Sequence, residues 1–186
     1  MELAGVEPVG TMTGRSFLDI LKSGKSGVVD ASRNVMLIAK ERHDLGRPHD
    51  WGYPVRAIRT GEFLYVRNYE PDRWPAGDPE TGYRNVDDGP TKEFLLSGFD
   101  EYYKASFGKR PPEALYLVKT DPDCMKNLAT DPKYAITKRQ LRERMEETLR
   151  SEGDPRMLGR ADFFDTIEYT GPRQHSYDNW LKNNRQ

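Results

Sequence analysis

Residues 55–60 (VRAIRT) and 63–69 (FLYVRNY) alternate in polarity and are joined through Thr60, Gly61 and Glu62. A period of two, rich in β-branched and aromatic side chains with glycine in the joint, predicts a β-hairpin. The stretch that follows cannot continue it. Pro71, Pro75, Pro79 and Pro90, with Gly77, Gly82 and Gly89, forbid regular structure over about twenty residues, a length at which an ordered loop more often carries function than connection. The loop holds Arg73 and Trp74, residue types suited to gripping an anion and stacking on a sugar.

The rest of the chain supplies partners for that hairpin. NVMLIAKERH (34–43) is an apolar run of strand length that turns polar at Glu41, Arg42 and His43, the pattern of a buried strand delivering side chains to an edge or cleft. EALYLV (113–118) is a further short strand. Residues 12–22 and 91–108 carry apolar residues at helical spacing; Phe94, Phe99, Tyr103 and Phe107 line the second, which Gly98 weakens. The clearest helix runs over 132–152. Asp131 is its N-cap, Pro132 suits its first position, and Tyr134, Leu141, Met145 and Leu149 form its stripe. Its outer face pairs Arg139 with Glu143 and Arg142 with Glu146, a solvated surface.

The expected fold is therefore α+β, a four-stranded antiparallel sheet packed against a long C-terminal helix, with long Pro/Gly-rich loops. Three regions are expected: a linker and short helix over 1–30, the α+β unit over 31–155, and an extended tail over 156–186. The segment ELAGVEP near the start has the look of a helix tail ending at Gly5 with Pro8 as its stop.

Charge excludes some function classes. Lys and Arg number 29 against 30 Asp and Glu, which removes the net basic face needed to neutralise a row of phosphates, so no nucleic-acid partner is expected. A single cysteine, Cys124, excludes an internal disulfide and a cysteine metal cluster. No apolar run approaches bilayer length, and the first residues lack the layout of a signal peptide, so no membrane partner is expected. Localisation stays open.

GYPVRAIRTGEFLYVRNYEPDRWPAGDP (52–79) and EALYLVKTDPDCMKNLATDPKYA (113–135) closely resemble the carboxy-terminal part of sulfatases, especially bacterial relatives of N-sulfoglucosamine sulfohydrolase. AGVEP with MTGRSFLDILKSG resembles the segment by which such enzymes leave their catalytic domain. The resemblance implies a small α+β subdomain that closes one side of an active site. It also implies a formylglycine nucleophile, made from the cysteine of a C-x-P-S-R motif, and a calcium ion that offsets charge on the sulfate. Neither is encoded here: Cys124 sits in DCMKN, and Asp87 with Asp88 is better explained as a solvated turn than as part of a calcium cage. The expectation is a hydrolase subdomain that completes the substrate pocket, has no catalytic or metal residues of its own, and is inactive alone. Its partners would be the N-terminal sulfatase catalytic domain and a sulfated carbohydrate. The rivals are a stand-alone module for acidic glycans and a piece that self-associates through an exposed apolar face.

Four residues are candidates for substrate contact. Arg42 and His43 stand where the resemblance faces the strand end toward the substrate pocket, and Arg73 and Trp74 stand in the long loop. For the second pair another assignment competes, in which Trp74 pins the loop to the sheet and Asp72 or Asp78 pairs with Arg73. His49 and Trp51, in HDWGYP, are secondary candidates. Arg56 and Arg59 should point to opposite faces and serve as surface or interface charges.

Overall fold

A computed structural model describes residues 1–186 except 13, 99, 174, 175, 185 and 186. The chain divides into two units, Met1–Val35 and Met36–Gln186. In the first, only Leu18–Lys22 of the expected 12–22 helix is α-helical (α1). Arg33 organises this unit: its guanidinium meets Asp30 at 3.0 Å and Asp19 at 3.7 Å and donates to the Ser16 carbonyl. An open apolar groove of about 560 Å³ is lined by Leu3, Val6, Met12, Phe17 and Leu21.

The second unit is built on one sheet in the order β1 (Val35–Lys40), β2 (Val55–Thr60), β3 (Phe63–Asn68) and β4 (Glu113–Leu117). The hairpin pairs Ala57 with Val66 and Ile58 with Tyr65, and β4 joins antiparallel with Leu115 opposite Tyr65. The row Ile58, Tyr65 and Leu115 is wholly buried, as the two-residue period requires of one sheet face. The outer strand β1 differs: Met36 and Ile38 remain 63% and 43% exposed.

The long helix spans Ala135–Ser151 (α4), entered through a turn over Pro132–Tyr134 whose cap Asp131 accepts from the Lys133 N–H at 2.9 Å. It packs on β2 and β3 and buries Leu141, Met145 and Leu149. Glu113 ties helix to sheet. Its carboxylate accepts from the Tyr65 hydroxyl at 2.6 Å and from Lys138 at 3.0 Å, and burial with this carboxylate neighbour pushes the Tyr65 phenol well above its usual range.

The turn after β4 is held by side chains that stand in for backbone. Asn127 Oδ1 accepts from the Leu115 and Ala129 N–H groups, and Asp121 accepts from Met125 and Lys126. Asn127→Ala leaves the Leu115 N–H without its partner at a fully buried strand position, and should cost about 1–3 kcal/mol in urea unfolding.

Two expectations require correction. The long helix is not the C-terminal element: Phe163–Thr166 (α5) and Tyr177–Asn184 (α6) follow it, inside the stretch expected as an extended tail. That stretch returns to the body of the unit, with the Tyr177 N–H donating to the Leu45 carbonyl at 2.8 Å and Ser176 only 3% exposed. The helix expected over 91–108 is two, Pro90–Leu96 (α2) and Asp100–Phe107 (α3), broken at Gly98, whose φ of +123° no helix accommodates. Phe107 packs with Ala76, Tyr83, Trp74, Leu95 and Tyr103 in a second small core, while Phe99 of the expected stripe lies outside the described residues.

Candidate functional site

The polar end of β1 opens into a loop over 42–52, closed at its base by the Tyr53 N–H donating to the Glu41 carbonyl at 3.0 Å. Gly52 sits so close to this base that a Cβ would stand 3.1 Å from the Glu41 and Arg42 backbone. Beneath the loop, Arg56 on β2 is 1% exposed, where a surface charge was expected. The alternation is as expected, but the inward position is filled by an arginine because acidic partners arrive from distant segments. Arg56 meets Glu41 at 2.7 Å and Asp154, just beyond α4, at 2.8 Å; Arg156 holds the same Glu41 through two hydrogen bonds of 3.0 and 2.8 Å. Phe164 of α5 lies against both guanidinium groups.

The middle of the loop is buried. Leu45, Gly46 and Arg47 face inward, and the Arg47 guanidinium donates to the carbonyls of Trp74 at 2.7 Å, Pro75 at 2.6 Å and Trp51 at 3.5 Å. Burial pulls the Arg47 guanidinium down to about 10, with the charge of Asp78 opposing the shift. Gly46 donates to Asn85 Oδ1 at 2.8 Å, and a Cβ there would stand 2.0 Å from that oxygen. The loop over 42–52 is thus locked to the long loop over 71–90.

What the lock leaves outward is chemical. His43 and His49 are exposed, and Trp51 is 39% exposed with the His49 ring at 4.8 Å and the Arg73 guanidinium 4.8 Å above its ring. His49 and Asp50 both hold φ of 56°, a left-handed conformation unusual for residues with side chains.

The four predicted residues fall apart into different environments. Arg42 donates to the Ile167 carbonyl and lies 5.8 Å over the Tyr169 ring, so the returning C-terminal stretch engages it. His43 is exposed beside it. Arg73 donates to the Gly52 carbonyl at 3.0 Å and lies 3.6 Å from Glu70, rather than pairing with Asp72 or Asp78. Trp74 turns into the small core, edge-on to Tyr83 at 6.1 Å, with Lys109 over its ring at 5.2 Å. Arg73 and Trp51 are brought together; Trp74 is directed elsewhere. The burial of Arg56, expected as a surface or interface charge, and the role of Arg47 were not foreseen, and the only sequence signal for Arg47 was its place between Gly46 and Pro48.

A separate depression of about 600 Å³ is lined by Asp44, Arg84, Asp87, Asp88, Lys92 and Glu93 among others. Its acidic majority suits an anionic sugar poorly, and none of the four predicted residues lines it.

Among the described residues no group of three His, Cys, Asp or Glu side chains could hold a metal ion. Cys124 occupies a turn at φ 55°, with its thiol pushed up by burial and by Asp121, in a DCMKN context rather than a C-x-P-S-R motif. Nor is any helix among the described residues long and apolar enough to cross a membrane.

No family model matches the chain. It is similar to two ulvan-active sulfatases of Formosa agariphila, 27% identical over 90% of this chain in one case and 27% over 83% in the other. The chain spans 26% and 28% of the length of these relatives. Among solved structures, a 2-O GAG sulfatase aligns over 93% of this chain and 30% of its own, with 18% identity and a TM-score of 0.47, and a protein in complex with its substrate D-glucosamine-2-N,6-O-disulfate aligns over 90% of this chain and 24% of its own, with 19% identity and a TM-score of 0.48. The α+β unit with its clamped loops is sulfatase-like in sequence over most of its length.

Proposed function

We propose that this chain is the C-terminal subdomain of a sulfatase-family hydrolase acting on a sulfated sugar, as an O-sulfate ester or as an N-sulfate of glucosamine. It completes the substrate pocket of a catalytic portion that carries the formylglycine and calcium. The observation that carries this reading is the similarity to the Formosa agariphila sulfatases across 90% of the chain in one and 83% in the other, confined to about a quarter of their length. Two features support it. The exposed apolar side chains of β1 and, separately, the apolar groove of the first unit are surfaces that a larger protein would cover. The locked loops present His43, His49, Trp51 and Arg73 on a rigid base, as a pocket wall must.

In this reading the chain's own residues orient the sugar and perform no bond cleavage. Arg42, His43 and Arg73 are cationic or hydrogen-bonding groups for acidic substituents, and Trp74 secures the loop that carries Arg73. The purified chain should turn over neither an aryl sulfate nor an N-sulfated glucosamine. Mixing it with the formylglycine-bearing catalytic portion of a close relative, cut before the matching region, should restore turnover that neither piece shows. Turnover by the chain alone, or none from the mixture once a stable complex is seen by size exclusion, would overturn the proposal.

A further inference from the structure

We infer that the sugar-contacting face of this unit is centred on Trp51, with His49 and Arg73 as its polar arms, and that it takes a pyranose bearing an acidic group; this rests on the sulfated-sugar reading above.

Exposure alone does not single out Trp51, because many apolar side chains of this chain are exposed. Its surroundings do. A guanidinium lies over the indole and an imidazole stands beside it, each 4.8 Å from the ring centroid, so the apolar surface is framed by hydrogen-bonding groups. The Gly52 carbonyl takes one Arg73 N–H, and Glu70 stands 3.6 Å from another nitrogen; a guanidinium has five donors, which leaves capacity for two parallel bonds to a sulfate or carboxylate. A pyranose face stacking on the open part of the indole would place its substituents within reach of both arms.

The backbone carrying these groups is held in an unfavourable state. His49 and Asp50 are both left-handed without being glycine, and Asp50 Oδ1 is buried with no hydrogen-bond partner among the described residues, while Oδ2 pairs with Arg173. Strained backbone and an orphan acceptor in a segment otherwise pinned by Arg47 and Gly46 are features that folding alone would remove and that ligand sites retain. The exposed Arg173 adds a second cation near the same turn. Trp74, the more obvious tryptophan of the loop sequence, is instead turned against the small core, edge-on to Tyr83 with Lys109 over its ring.

The test is calorimetric titration of the full chain with a heparin tetrasaccharide and, in a second arm, with its fully desulfated, uronate-bearing counterpart. Binding in the first arm alone assigns the anion as sulfate, and binding in both assigns it as either acidic group. Trp51→Ala should weaken binding by about tenfold or more. His49→Ala, a change at an exposed side chain that leaves the fold intact by circular dichroism, should weaken it several-fold, and Trp51→Phe should retain part of the affinity. Wild-type chain that binds neither oligosaccharide overturns the inference, as does binding unmoved by Trp51→Ala and His49→Ala. Neither result bears on turnover restored by mixing the two pieces, which tests the sulfatase reading separately.

Discussion

Arg56→Met should lower the unfolding free energy by about 3–5 kcal/mol, a large share of the total for a unit of this size. The methionine fills most of the space but leaves Asp154 and Glu41 as carboxylates with side chains only 11% and 17% exposed and no Arg56 to face. Arg156 still reaches Glu41, so the uncompensated charge falls mainly on Asp154. Acid titration gives an independent check. Burial alone would raise the Asp154 carboxyl, yet the hydrogen bonds and charge of Arg56, with the Met157 and Arg156 N–H groups, bring it below its ordinary 3.8. A carboxylate with a depressed folded-state value contributes stability that is fully present above about pH 3.8 and is lost as the pH falls through that lower value. Wild-type urea midpoints should therefore fall on acidification below about pH 4, and an Asp154→Asn variant, already weakened, should show a flatter profile there. A variant with Arg56→Met that unfolds at the wild-type midpoint would mean that the network contributes nothing.

Arg47→Met should cost about 2–4 kcal/mol, through the donors removed from the carbonyls of Trp74, Pro75 and Trp51. Its signature is local as well as global. The loop over 42–52 hangs on this guanidinium, so thermolysin should cut at the otherwise buried Leu45 in the variant under conditions where the wild-type chain stays intact. Lysine cannot replace it: one ammonium lacks the fork that reaches two successive carbonyls. Equal resistance of variant and wild type to the protease would show that the loop is held by Gly46 and the base of β1 alone.

The sheet and the long helix were legible because their signals are local. Alternation in 55–60 and 63–69 fixes which residues face inward, and the Asp131–Pro132 start with the Leu141, Met145, Leu149 stripe defines α4. The interlocked loops over 42–52 and 71–90 were not, since an arginine in a sequence carries no mark of burial. Arg56 finds Asp154 98 positions away, and Arg47 finds backbone carbonyls 27 and 28 positions on, neither of which any periodicity announces. The same limit applies to residues 156–186. Their helices are short, and what brings them home is a backbone hydrogen bond from Tyr177 to Leu45 and contacts of Arg156 and Phe164 with side chains of earlier elements. The sequence favoured Trp74 over Trp51 because it sits beside Arg73; which tryptophan turns inward is decided by Tyr83 and the small core around it, built from other segments.

Gly77, at φ +92°, lies against the Gly46 carbonyl and the Arg84 and Asn85 backbone, where a Cβ would come within 3.2 Å of all three. Together with Gly46 against Asn85, this makes the two loops a single interlocking piece with no slack at its seam. A transplant that exchanged one loop for that of a relative would jam at these glycines, so a graft that reshapes this face has to carry both loops across, or confine its changes to the outward tips at His43, His49 and Trp51.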